Sequence, residues 1–237
     1  KALPKVGTEA KEDILNWIGE TKSQAALDKV LDCFDSPAKE TAIKTAGILG
    51  GEKATDALIA ELGGDCDGAA QKALASLKGD FSGKILEKMA SSSSPAMLES
   101  LVKVAASKRM KNTSEKIYSL ASEGLAAARE ALPKVVTTAE TTKIGEDLSK
   151  AEAPDAEYLA SALSASIHTL APEKQLESIK SIMDKSDNKS NFYGPLAATG
   201  TSEAVKLLTE AYNNGADKEK AADALMKAET KSAIKPL

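Results

Sequence analysis

The chain has 237 residues and a formal charge of −4, with 42% apolar residues but only 3% aromatic ones. Lysine and glutamate are interspersed without a basic stripe or stacking aromatics, which argues against a nucleic-acid-binding surface. No apolar run approaches the roughly 18 residues of a membrane span. Much of the apolar content is alanine, which suits closely approaching helices better than the bulky core of a large globular enzyme.

The opening residues read as irregular. Glu12 to Gly19 then forms a helix with Ile14, Leu15 and Ile18 inward, and Gln24 to Phe34 follows with Ala26, Leu27, Val30, Leu31 and Phe34. Ser36 to Leu62 is the clearest unit. Ser36 is placed as a helix cap and Pro37 at the first helical position, where a missing N–H costs nothing. Ala42, Ala46 and Leu49 recur at helical spacing, Gly50-Gly51 stops the helix, and Ala54, Leu58 and Leu62 face inward from a second one. Neither helix buries its stripe alone, so the natural partner is the next copy of the same hairpin.

Further copies follow in order. The third has Ala70, Ala73, Leu74 and Leu77, then Ile85, Leu86 and Met89. The fourth starts at Pro95, with Leu98, Leu101, Val102 and Ala105 before a long turn, then Ile117, Leu120 and Ala121, and Gly124 as a C-cap. In the fifth, Leu125, Ala128 and Leu132 precede Pro133, which is expected to bend or end its helix; Ile144 and Leu148 follow. The sixth carries Leu159, Leu163, Ile167 and Leu170, then Pro172, Leu176, Ile179 and Met183. The seventh has its turn at Gly200 with Val205, Leu208 and Tyr212 behind it, and the eighth begins at Asp217 with Ala221, Leu225 and Met226. No alternating β-branched run interrupts the series, which argues against strands.

The pattern A-x-x-x-L-G-x-x-G-x-x-x-A-x-x-x-L-x-x-x-L, seen at Ala46–Leu62 and again at Ala197–Tyr212, resembles the short bacterial HEAT-like repeat, and Ile14–Leu31 is a third copy. Hairpins four to six lack the glycine turn. The resemblance implies an all-α, right-handed α-α superhelix of the HEAT/armadillo-like solenoid kind, about eight hairpins long. It places residues 1–237 in a single repeat domain, with first helices on the convex side. It also implies a scaffold or spacer that binds another protein or another domain of the same polypeptide. A narrower resemblance links the ILNWIG segment and the Ala/Lys/Ser-rich repeats to the helical region ahead of 3-keto-disaccharide hydrolase-type domains in exported bacterial proteins. This is the alternative reading, a non-catalytic region of a carbohydrate-active protein, and it leans toward export.

No catalytic, cofactor or metal residue is assigned. His168, the sole histidine, has no companion ligand or orienting carboxylate in sequence and reads as a surface or edge residue. Asp65-Cys66-Asp67-Gly68 and Asp184 with Asp187 and Asn188 lack the spacing and closing Glu of a calcium loop, and read as capping turns. The Gly-rich pieces do not match a phosphate-binding loop. Trp17 either covers the open end of the core or offers a stacking platform. Cys33 and Cys66 end neighbouring second helices, about 8–10 Å apart, and are expected as free thiols unless the Cys66 loop folds back. Asn188, Asn191, Phe192 and Tyr193 form the candidate partner contact, an aromatic pair within a polar loop; the alternative has Phe192 and Tyr193 starting a helix and packing inward. Thr230 to Leu237 matches only the start of a second helix, with Ala233 in the place of Ala54, so polypeptide is expected beyond Leu237. The first residue, Lys1, likewise implies removal of something upstream.

The helix phase of the reference hairpin is directly testable. Leu58→Ala should cost about 2–5 kcal/mol, and Lys53→Ala should stay within about 0.5 kcal/mol, measured by denaturant unfolding. Equal shifts for the two would show that the phase is wrong.

Overall fold

The computed structural model describes residues 6–215 and 217–232, and the side chains of these except 229–232. Every element among the described residues is helical. The α-helices are α1 Thr8–Thr21, α2 Leu27–Leu31, α3 Lys39–Leu49, α4 Glu52–Ala60, α5 Asp67–Ser76, α6 Ser82–Ser91, α7 Pro95–Ser107 and α8 Ser114–Ser122. They continue with α9 Ala126–Val135, α10 Thr141–Lys150, α11 Asp155–Ile167, α12 Pro172–Met183, α13 Tyr193–Thr199, α14 Ser202–Asn214 and α15 Lys218–Ser232. The chain divides into two compact units, Lys1–Ala131 and Leu132–Leu237.

In the first unit, α1 packs on α3, α3 on α5, and α5 on α7. Their approach depends on small and polar side chains. The Thr45 hydroxyl donates to the Leu15 carbonyl at 3.1 Å in a buried setting. A Cβ built on Gly47 would stand 2.7 Å from the Ala73 Cβ and 3.0 Å from its Cα, closer than side chains tolerate. The expected stripes are buried: Ala42, Ala46, Leu49, Ala54, Leu58 and Leu62, with Leu58 at 0% exposure. Ile43 is equally buried, although it falls outside the narrow stripe read from sequence. Flanked by α1 and α5 and backed by α2 and α4, α3 hides three sides rather than one. Lys53 reaches Asp28 at 3.1 Å, an exposed pair of the kind worth little.

In the second unit, α10 packs on α11 and α12, α11 on α13, α13 on α15, and α14 on α15. Leu132, Ile144, Leu148, Leu163, Ile179, Phe192 and Leu208 fill its interior. A buried chain of hydroxyls ties α10 to α11: Thr141 meets Ser166, and the Ser166 hydroxyl donates to the Thr137 carbonyl at 2.9 Å.

Turn chemistry departs from expectation in four places. Helix α1 begins at Thr8, a turn earlier than the apolar stripe shows. Helix α3 begins at Lys39, because Ser36 and Pro37 form a preceding tight turn: the Ser36 hydroxyl donates to Cys33 O at 2.8 Å and accepts from Ala38 N at 3.3 Å. Helix α9 continues past Pro133 to Val135, and Val136 N still donates to Leu132 O at 2.9 Å. Full burial of Val135 and Val136 offsets the bond that proline removes. The fourth hairpin, lacking glycine, ends α7 with Arg109 at φ 51°. Arg109 N bonds Ala106 O and Met110 N bonds Ala105 O, the 5→2 and 6→1 pair that Gly124 and Leu125 make at the end of α8. Pro95 opens α7 as expected, with the Ser94 hydroxyl accepting from Met97 N. Ala233 lies outside the described residues.

The Gly47 contact sets the helix spacing. Gly47→Ala should cost about 1–3 kcal/mol by forcing α3 from α5. Gly83→Ala, in helix α6 with open space around it, should be neutral or stabilising by up to about 1 kcal/mol. Urea unfolding of both variants measures this, and equal effects would remove the close approach as a constraint.

Candidate functional site

Helix α13 has 7 residues, whereas its neighbours α11 and α15 have 13 and 15. The longer helices overhang the short one and leave a groove of about 940 Å³ within the second unit. Ala156, Glu157, Ala160, Ser161 and Ser164 of α11 form one wall, and Lys220, Asp223, Ala224 and Lys227 of α15 the other. Tyr193, Gly194 and Pro195 form the floor, and the segments around Ala151 and Asn188–Asn191 close one end.

The loop residues singled out from sequence converge here for a structural reason. The exposed last carbonyls of α10 need donors. The Asn191 amide gives two bonds, to Leu148 O at 3.0 Å and Ala151 O at 2.9 Å. The Asn188 amide gives one to Ser149 O at 3.3 Å. The buried Ser186 hydroxyl accepts from Asn188 N at 3.1 Å, which fixes the turn. Asn188, Asn191 and Tyr193 therefore line the groove. Phe192 does not, because its side chain is fully buried and anchors the loop from beneath. Burial pushes the Tyr193 phenol up, and the nearby Asp217 charge adds to this, so at neutral pH it is a protonated hydrogen-bond donor.

The groove lining combines small side chains with hydroxyls, amides, a phenol and charged groups of both signs. Ser164 spends its hydroxyl on Ala160 O at 2.8 Å, and Lys220 reaches the Ser190 hydroxyl at 3.4 Å. Glu152, Glu157 and Asp217 lie near the starts of α11 and α15, where negative charge opposes the helix dipole. The groove walls escaped the sequence reading. A second stripe, Ala156-Ala160-Ser164, runs beside the apolar Leu159-Leu163-Ile167 stripe and was the available signal.

The remaining candidates disperse. His168 is exposed at the C-terminal end of α11. Asp67 accepts from Gly63 N at 2.9 Å and from the Gln71 amide at 2.6 Å, the work of a turn and helix start. Among the described residues no group of three or more His, Cys, Asp or Glu could hold a metal ion. A smaller depression of about 470 Å³ in the first unit contains Asp80, Lys108, Arg109 and Lys111. Its Lys108 ammonium donates to Leu77 O at 2.7 Å and stands 5.8 Å above the Phe81 ring, while Asp80 accepts from Ser82 N at 2.9 Å. Trp17 is 61% exposed and does not cover the core end. No helix among the described residues is long and apolar enough to cross a membrane.

No protein-family model, curated protein or solved structure matches the chain.

Cys33 and Cys66 are both free thiols. Cys33 is buried and donates to Lys29 O at 3.3 Å, and burial pushes its thiol up; Cys66 is half-buried. A chromogenic thiol reagent should modify Cys66 in the native protein and reach Cys33 only on unfolding. Equal native rates would contradict the packing of α2.

Proposed function

We propose that this chain is a non-catalytic helical-repeat module of the HEAT-like kind whose hairpins stack as a right-handed α-solenoid and which binds a segment of another protein or domain. The observation that carries the reading is the groove across α11, α13 and α15. Three successive first helices and the Asn188–Asn191 loop present small side chains, hydroxyls, amides, one phenol and charged groups of both signs, a lining suited to a polypeptide laid across them. The successive packing of α1, α3, α5 and α7, and of α11, α13 and α15, supports stacking of hairpins.

Two measurements test it. Peptides selected by display on the folded chain should lose binding to Ala160→Arg, which fills the groove, and keep binding to Lys53→Ala. Ester, phosphate and glycoside substrates should show no turnover by the purified chain. Turnover abolished by one substitution, or selected peptides indifferent to Ala160→Arg, would overturn the reading.

A further inference from the structure

The groove across α11, α13 and α15 carries charge that its own walls do not neutralise. Four carboxylates line it, Glu152 and Glu157 on the α11 side and Asp217 and Asp223 on the α15 side, against two ammonium groups, Lys220 and Lys227. The α11 side contributes no cation to the lining, and Lys189 of the neighbouring loop lies outside it.

Several exposed charges elsewhere in the chain find partners. Glu40 and Lys44 close to 2.7 Å, and Glu99 and Lys103 to 2.6 Å, each four residues apart on one helix. Between helices, Lys84 takes both Glu52 and Asp56, and Lys180 takes Glu203. On α15, Asp223 and Lys227 have the same spacing and order, yet Asp223 stays unpaired, and Lys220 turns to the Ser190 hydroxyl at 3.4 Å. Among the described residues, none of the four groove carboxylates makes an ion pair. Glu152, Glu157 and Asp217 stand near helix starts, where the dipole favours negative charge. Asp223, in the second turn of α15, has no such reason to be acidic.

Unpaired carboxylates around one concave space repel one another and attract cations into it. An occupant of opposite charge relieves that repulsion, and such complementarity sets specificity and encounter rate more than raw affinity. We infer that the segment bound in this groove is basic, with lysine or arginine side chains reaching Glu157 on one wall and Asp223 on the other while its main chain lies over Ala156 and Ala160. The inference rests on the groove-binding part of the proposed function and adds the charge of the partner.

A random peptide library displayed on phage is the probe. Peptides selected on the folded chain should be richer in Lys and Arg, and poorer in Asp and Glu, than the unselected library. Synthesised with a fluorescent label, they should bind Glu157→Gln and Asp223→Asn about 2- to 5-fold more weakly than wild type, because exposed ion pairs are individually weak. Added salt should shrink that difference. Glu20→Gln removes an exposed carboxylate from α1 in the first unit and changes the net charge equally; it should leave binding unchanged. Ala160→Leu fills the groove without adding charge and should abolish binding. The three charge variants alter exposed side chains and should keep wild-type helicity by circular dichroism. Peptides lost with Ala160→Leu but not enriched in basic residues, or indifferent to Glu157→Gln and Asp223→Asn, would overturn the inference and leave the groove reading standing. An equal loss with Glu20→Gln would also overturn it, since the attraction would then belong to the chain as a whole. Selection of no peptide, or of peptides indifferent to Ala160→Leu, would overturn the groove reading and this inference with it.

Discussion

The structure depends on how closely its first helices can approach. Alanine buries little area, and burial contributes only about 25 cal/mol per Å², so a core rich in alanine gains stability mainly through close contact over many residues. Gly47 against Ala73 and the Thr45 hydroxyl on the Leu15 carbonyl are where that closeness is enforced. A larger side chain at either place would separate two helices along their length, not at one point. This also explains why Ile43 is fully buried: a helix gripped on both flanks hides side chains that an isolated amphipathic helix would leave wet.

Close packing makes each helix end a liability, since its last carbonyls sit near other helices and need donors. The chain meets this with side chains from neighbouring elements. The Gln24 amide bonds the Leu49 carbonyl at the end of α3, the Lys108 ammonium bonds Leu77 O beyond the end of α5, and Asn191 serves α10. Among the described residues, no buried side-chain nitrogen or oxygen lacks a hydrogen-bond partner. These long-range caps connect elements far apart in sequence, so the polar groups help fix how the helices sit while apolar stripes supply cohesion. The groove follows from the same economy. The loop that caps α10 continues into α13 at Tyr193, which leaves α13 short and opens the space between α11 and α15.

Periodicity and glycine carried most of the fold into the sequence. A 3.6-residue repeat of apolar positions identifies helices without knowledge of what they face, and Leu58, Leu74, Ile117 and Leu163 are buried where that repeat puts them. The paired positive φ of Gly50 and Gly51 is a conformation that glycine adopts without steric cost, so the turn was legible as well. The turn at Arg109 was not, because its left-handed backbone is imposed by the two hydrogen bonds that close α7 rather than preferred by the residue. Pro133 misled for a related reason. Local chemistry argues for a break there, and the burial of Val135 and Val136 overrides it.

At the site the division is sharper. The sequence by itself determined that Asn188, Asn191, Phe192 and Tyr193 form a polar loop with an aromatic pair, because composition and turn propensity are local properties. It could not decide which aromatic ring goes inside. Tertiary structure sends Phe192 into the core and leaves Tyr193 half-buried at the groove floor, since one position faces the interior and the next is turned about 100° away around the helix. The groove itself, built from α11, α13 and α15, is likewise a tertiary product. Its walls come from residues some 60 positions apart in sequence, from Glu157 to Asp217, and only packing brings them within reach of a common occupant.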